Sequence, residues 1–159
     1  MRVRPPLPLR HPAVLVATGF GVGFAPRAPG TWGSLAALPF GWALLHAGGP
    51  WLLAAAAAVI LMVGAVATDM LLARGAADDP GYVVADEIGG QWLALLPAAP
   101  DLETVAAAFV LFRLFDIVKP WPIGWLDRRI SGGVGAMLDD TVAGFAAAAV
   151  LMGVLWFLR

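Results

Sequence analysis

The chain has no cysteine, only two histidines and one tyrosine in 159 residues, and just 13% of it is charged. Without cysteine there is no thiolate nucleophile, no Cys-ligated zinc and no iron–sulfur cluster. His11 and His46 stand far in sequence from every group of carboxylates. That argues against a histidine general base, a phosphohistidine or a His-rich metal site. The ten basic residues form no long run and the net charge is −1, which excludes an electrostatic nucleic-acid binder. Any chemistry must therefore use Asp, Glu, Lys, Arg, Ser or Thr.

What the chain has in excess is apolar sequence: 60% hydrophobic residues and a mean hydropathy of +0.82. A single soluble domain of this length lacks the interior to hide so much apolar material. The composition predicts a small polytopic membrane protein. The apolar segments and basic residues traced below make the expectation an all-α, polytopic membrane bundle of four to five apolar helices with Gly/Pro-rich loops on the cytoplasmic side. One domain over residues 1–159 is expected, the first 17 residues forming a basic, Pro-rich arm with Arg2, Arg4 and Arg10. No run resembling a cleaved signal peptide follows that arm.

Thr18–Ser34 reads as a Gly/Pro-dense loop, and no strand-forming run precedes its Gly19, Gly21 and Gly23 to make a dinucleotide fingerprint. Five apolar segments follow: Leu35–Ala47, Trp51–Ala73, Ile88–Pro97, Leu102–Val118 and Thr141–Leu158. If they alternate in direction with the N-terminus inside, Arg2, Arg4, Arg10, Arg27, Arg74, Arg113, Lys119, Arg128 and Arg129 fall on the cytoplasmic side. Only Arg159 falls outside, and the outer connections Gly48–Pro50 and Ala98–Leu102 carry no basic residue. The first and third segments are too short to cross unaided, so half-helices, interfacial helices or a mostly monotopic bundle are open alternatives.

Eight of the eleven acidic residues also land inside: Asp78, Asp79, Asp86, Glu87, Asp116, Asp127, Asp139 and Asp140. They gather at helix ends, Asp86-Glu87 opening the third segment, Asp116 closing the fourth, and Asp139-Asp140 preceding the fifth. Carboxylates suit helix N-termini for dipole reasons alone, and Arg113, Asp116 and Lys119 also read as an ion-pair ladder. Three such groups on one face point instead to hard oxygen ligands for Mg²⁺, which shares its coordination with water and a substrate phosphate. Arg113, Lys119 and Arg128 would then offset phosphate charge. Thr31 and Ser34 would cradle phosphate from a turn before the first segment, Ser34 being equally a plain N-cap. Gly132, Gly133 and Gly135 allow close approach of a ligand or simply make a turn. Trp121 and Trp125 read as interfacial anchors at headgroup depth.

Several stretches together resemble the bacterial phosphatidylglycerophosphatase A family: TGFGVG (Thr18–Gly23), APGTWGS (Ala28–Ser34), DPG (Asp79–Gly81), VVADE (Val83–Glu87), FRLFDIVKPWPI (Phe112–Ile123), Asp127-Arg128, GGVG (Gly132–Gly135) and MLDDTVAG (Met137–Gly144). They run in family order over most of the chain. The resemblance implies an integral bacterial inner-membrane, all-helical, Mg²⁺-dependent lipid phosphatase with its site facing the cytoplasm. Its substrate would be phosphatidylglycerophosphate and its products phosphatidylglycerol and phosphate, within phospholipid biosynthesis. Carried over by position, the polar residues are Thr31, Ser34, Asp79, Asp86, Glu87, Arg113, Asp116, Lys119, Asp127, Arg128, Asp139 and Asp140.

On that reading Asp86, Glu87, Asp139 and Asp140 hold the metal, and Asp116, Asp139, Asp140 and Lys119 are the catalytic set. Arg113, Lys119, Arg128, Thr31 and Ser34 bind phosphate. The family pattern departs at Ile88, which is followed by Gly89-Gly90, an extra glycine expected to loosen that helix start by about 1 kcal/mol. A CDP-alcohol phosphotransferase would need a DGxxAR stretch that is absent. A non-catalytic membrane subunit, or a carrier moving protons or cations on boundary carboxylates, is the rival from another class.

Overall fold

The computed structural model describes residues 5–78, 80–99 and 101–158. Asp79 of the matched motifs and the termini bearing Arg2, Arg4 and Arg159 lie outside them. Among the described residues the fold is all helical: α1 (Pro12–Ala17), a 3₁₀ turn (Val22–Phe24), α2 (Pro29–Leu72), α3 (Ala85–Ala94), α4 (Leu102–Val118), α5 (Ile123–Arg129) and α6 (Gly132–Phe157).

The 44-residue α2 is two helices rather than one rod. Gly49 adopts φ 67°, ψ −165°, a conformation essentially closed to residues with a Cβ. Pro50, which has no N–H to satisfy, then starts the second limb. Gly33 of the first limb and Gly64 of the second both lie against the start of α3, at Val84 and Ala85. Leu45 and Leu53, on either side of the turn, share an apolar cluster with Leu95 at the end of α3. The limbs 29–48 and 50–72 are therefore antiparallel, and α3 runs parallel to the first.

The remaining helices continue the alternation. Val105 and Ala108, early in α4, join the same far-end cluster as Leu151, late in α6. The start of α6 meets the second limb near its end, where Asp69 Oδ1 accepts a hydrogen bond from Gly133 N at 2.6 Å. Five helical runs thus alternate in direction, and the expected turn at Gly48–Pro50 is real.

Segment boundaries differ from expectation in several places, α1 lying in the expected N-terminal arm and α3 starting at Ala85 rather than Ile88. The Gly/Pro-dense loop ends at Ala28, because Pro29 is well placed at the first helical position; Thr31 and Ser34 lie inside the first limb and Ser34 is not a cap. The last helix begins at Gly132, not Thr141, so Asp139 and Asp140 sit two turns inside it. Gly133 is a packing position against the Ala65 carbonyl of the second limb, not a loop residue facing a ligand. The short α5 was not foreseen as a helix.

The crossing of α3 and α6 sets the geometry of everything polar. A Cβ on Gly90 would come 2.7 Å from the Asp140 carbonyl and 2.6 Å from the Phe112 ring. Gly144 faces the Gly90 carbonyl in turn. Bare backbones touch here: of the glycine pair that looked like a loosened helix start, Gly90 locks α3 to α6, while Gly89 makes room for Leu61 of the second limb.

Much of the outer surface is apolar. Trp51, Trp121 and Phe157 are each more than 80% exposed, and Met62, Val66, Val110, Phe145 and Met152 are exposed as well. Two helices, Pro29–Leu72 and Gly132–Phe157, are long and apolar enough to cross a membrane. The second limb of α2 alone, at 1.5 Å per residue, reaches roughly 34 Å.

Candidate active site

Asp86 and Glu87 occupy the first turn of α3, where the helix dipole favours negative charge. Asp86 Oδ1 accepts from Glu87 N at 3.0 Å. The Gly90–Asp140 contact brings α6 alongside, and one carboxylate oxygen each from Asp86, Glu87 and Asp140 lie within 4.8 Å of one another. Gly30, at the start of the first limb, leaves the space that Glu87 Oε1 uses. Asp116, from the last turn of α4, is close enough for its charge to act on all three and is in hydrogen-bonding reach of Asp140. Four helical segments thus meet at one acidic point.

Charge balance there is uneven. Arg113 Nη1 is ion-paired with Asp116, one turn on, and also donates to Ser34 Oγ at 3.3 Å. Ser34 Oγ donates in turn to the Gly30 carbonyl at 2.9 Å. The trio itself has no cationic partner among the described residues, and Glu87 Oε2 is buried without a hydrogen bond. Burial pushes the Asp86 carboxyl up from its ordinary pKa, outweighing the hydrogen bonds it accepts. Burial pushes Glu87 well up, and the adjacent Asp86 charge adds to the effect. Such a cluster resists ionising unless a proton or a cation shares it. Three hard oxygens from two helices, with the buried, unbonded Glu87 Oε2 and a fourth carboxylate beside them, fit a divalent cation with open positions for water and phosphate.

Lys119 lies beside this point in a separate clamp. It closes α4 in a left-handed conformation, φ 45°. Its Nζ donates to Asp127 Oδ1 of α5 at 2.8 Å and to Asp139 Oδ2 of α6 at 2.5 Å. Burial pulls the ammonium pKa down, but the two carboxylates more than reverse this and raise it.

The expected site residues therefore divide. Asp86, Glu87, Asp116 and Asp140 come together, with Arg113 and Ser34 attached. Asp139, expected beside Asp140 on the metal, is drawn to Lys119, because consecutive helix residues point about 100° apart. Thr31 sits half-buried in the first turn of α2, and Arg128 is exposed on α5 with no ion pair among the described residues. The sequence reading carried Asp127 only as a matched position and missed its grip on Lys119, since an eight-residue separation across a turn has no periodic signature. It also passed over Gln91, fully buried one turn beyond Glu87.

Residues 15–155 match the family described as Phosphatidylglycerophosphatase A. The chain belongs to the phosphatidylglycerophosphatase A family. It is 43% identical over 151 residues to "Phosphatidylglycerophosphatase A" of Escherichia coli K12, covering 91% of this chain and 84% of that one. Identity to the Haemophilus influenzae protein of the same name is 37% over 152 residues, covering 94% and 93%. A Bacteroides thetaiotaomicron protein named "Putative phosphatidylinositol-3-phosphatase" is 43% identical over 145 residues, covering 82% of this chain and 86% of that one. No solved structure matches.

Proposed function

We propose that the Asp86–Glu87–Asp140 cluster is the Mg²⁺-binding half of a lipid phosphatase centre, completed by Asp116, Arg113 and Lys119. Family membership makes the protein an enzyme that hydrolyses phosphatidylglycerophosphate to phosphatidylglycerol and phosphate. A non-catalytic subunit or carrier does not fit that membership. The observation that supports the metal reading is the convergence of three carboxylate oxygens within 4.8 Å beside a buried, unbonded Glu87 Oε2.

Asp86, Glu87 and Asp140 would supply ligands, with Asp116 either joining them or accepting a proton from the attacking water. When bound, Mg²⁺ supplies Lewis-acid polarisation of the phosphoryl group and lowers the pKa of water. Attack by water oxygen on phosphorus breaks the P–O bond to the headgroup glycerol, and the released alkoxide takes up the proton given up by the attacking water, relayed by Asp116 or solvent. Arg113, whose Nη1 is shared by Asp116 and Ser34, would donate from its remaining terminal N–H groups to a phosphate oxygen. Lys119 is held close by, and phosphate would compete with Asp127 and Asp139 for its ammonium.

In the same proposal the helical runs sit in a bacterial inner membrane with the site facing the cytoplasm. The second limb of α2, α4 and most of α6 cross, and the first limb and α3 are shorter companions packed against them. The exposed apolar belt supports this, as does the placing of Arg74, Arg113, Lys119, Arg128 and Arg129 at the site end while Asp101 and Glu103 lie at the other. The test is phosphate release from phosphatidylglycerophosphate in mixed micelles, with Mg²⁺ and with EDTA, for wild type, Asp86→Asn and Asp140→Asn. Full activity in both variants, or in EDTA, would remove the proposed centre.

A further inference from the structure

Three side chains in the inner wall of the site carry buried polar atoms with no partner among the described residues: Glu87 at Oε2, Gln91 at both amide atoms, and Arg113 at Nε. They are not scattered. Gln91 follows Glu87 by four residues, so the two share a face of α3. That face is bracketed on both sides. Trp92 donates Nε1 to the Ala37 carbonyl of the first limb at 2.9 Å, and Gly90 lies against Phe112, the neighbour of Arg113 on α4. Arg113 itself crosses from α4 to Ser34 on the first limb. Gln91 is thus enclosed between the first limb and α4, at the level where those two residues meet and one turn inward of the carboxylates.

A buried amide with no bonds made is destabilising, and an apolar side chain of equal size would pack there better. The cluster makes sense as a receptor for something that both donates and accepts. We propose that Gln91, Arg113 Nε and Glu87 Oε2 form a subsite for one hydroxyl group, supplied by a bound water or by the free hydroxyl of the lipid's headgroup glycerol. Arg113 Nε–H and Gln91 Nε2–H donate to the hydroxyl oxygen, and its proton goes to Gln91 Oε1 or Glu87 Oε2. The subsite rests on the phosphatase reading for its second source but not for its first.

The experiment uses purified full-length chain in mixed micelles, with Gln91→Leu and Gln91→Met as paired variants. Each is assayed on phosphatidylglycerophosphate and on the analogue whose headgroup lacks the hydroxyl, and Mn²⁺ binding without lipid is followed by electron paramagnetic resonance. If the hydroxyl is the lipid's, wild type loses about tenfold in kcat/KM on the deoxy lipid, the variants show no further loss there, and Mn²⁺ binding is unchanged. If it is water, the variants lose about tenfold on both lipids and bind Mn²⁺ more weakly through a misplaced Glu87. Variants with wild-type kcat/KM on both lipids and wild-type Mn²⁺ affinity would overturn the proposal and leave Gln91 a packing residue. Should wild type release no phosphate from either lipid, the phosphatase reading fails separately, and unchanged Mn²⁺ binding in the variants would then overturn the subsite as well.

Discussion

The two ends of the bundle are built on opposite principles. At the far end, Leu45, Leu53, Leu95, Val105, Ala108 and Leu151 interlock as ordinary apolar side chains around the Gly49 turn. At the site end, glycines replace side chains at the contacts and carboxylates crowd together with fewer cations than they need. The first arrangement stabilises without chemistry. The second gives up stability to hold carboxylates together, which on the proposed reading is what phosphate chemistry requires.

The largest effect should come from the acidic point itself. Asp140→Asn or Asp86→Asn should lower phosphate release by about 100-fold or more, while raising the melting temperature in EDTA because one crowded charge is gone. A loss of stability together with unchanged activity would reverse the assignment of the two ends. At the far end, Leu53→Ala should cost about 2–5 kcal/mol in unfolding free energy yet leave kcat of the folded protein within about twofold. A specific loss of kcat would break the division.

Lys119→Met should reduce kcat/KM by roughly 10- to 100-fold, since one cation near the transferred group is lost, and it should free Asp127 and Asp139. The pH response sharpens the same point. Glu87 has a raised folded pKa, so its contribution to metal-free stability is complete below the ordinary glutamate pKa and is lost as pH rises through the folded value. A cation competes with that proton, so the rise in melting temperature on adding Mg²⁺ should grow from mildly acidic to mildly alkaline buffer; a constant shift would count against Glu87 as a ligand. The smallest effect is expected for Asp69→Ala, which removes the hydrogen bond to Gly133 N and should cost about 1 kcal/mol, as for a lost helix cap, read by thermal unfolding.

Much of this was legible in the sequence for physical reasons. Gly48–Pro50 announced a turn because a Gly followed by Pro leaves few other options, and Asp86-Glu87 announced a helix start because carboxylates stabilise one. The family motifs marked nearly every polar residue that the fold gathers. Other features depend on tertiary register. Whether Asp139 or Asp140 faces α3 is decided by the Gly90–Gly144 crossing, and Asp69 caps a helix 64 residues away. The start of α6 was hidden because a Gly-rich stretch reads locally as loop, while packing against the second limb makes it helix.

The backbone contact at Gly90 and Gly144 carries one further consequence. A hinge made of side chains can repack when the surrounding lipid thins or thickens, but two main chains in direct touch have almost no slack. Stretching or tilting the long outer helices would therefore leave the spacing between Asp86 and Asp140 nearly untouched, and the enzyme should keep its rate in bilayers of different thickness.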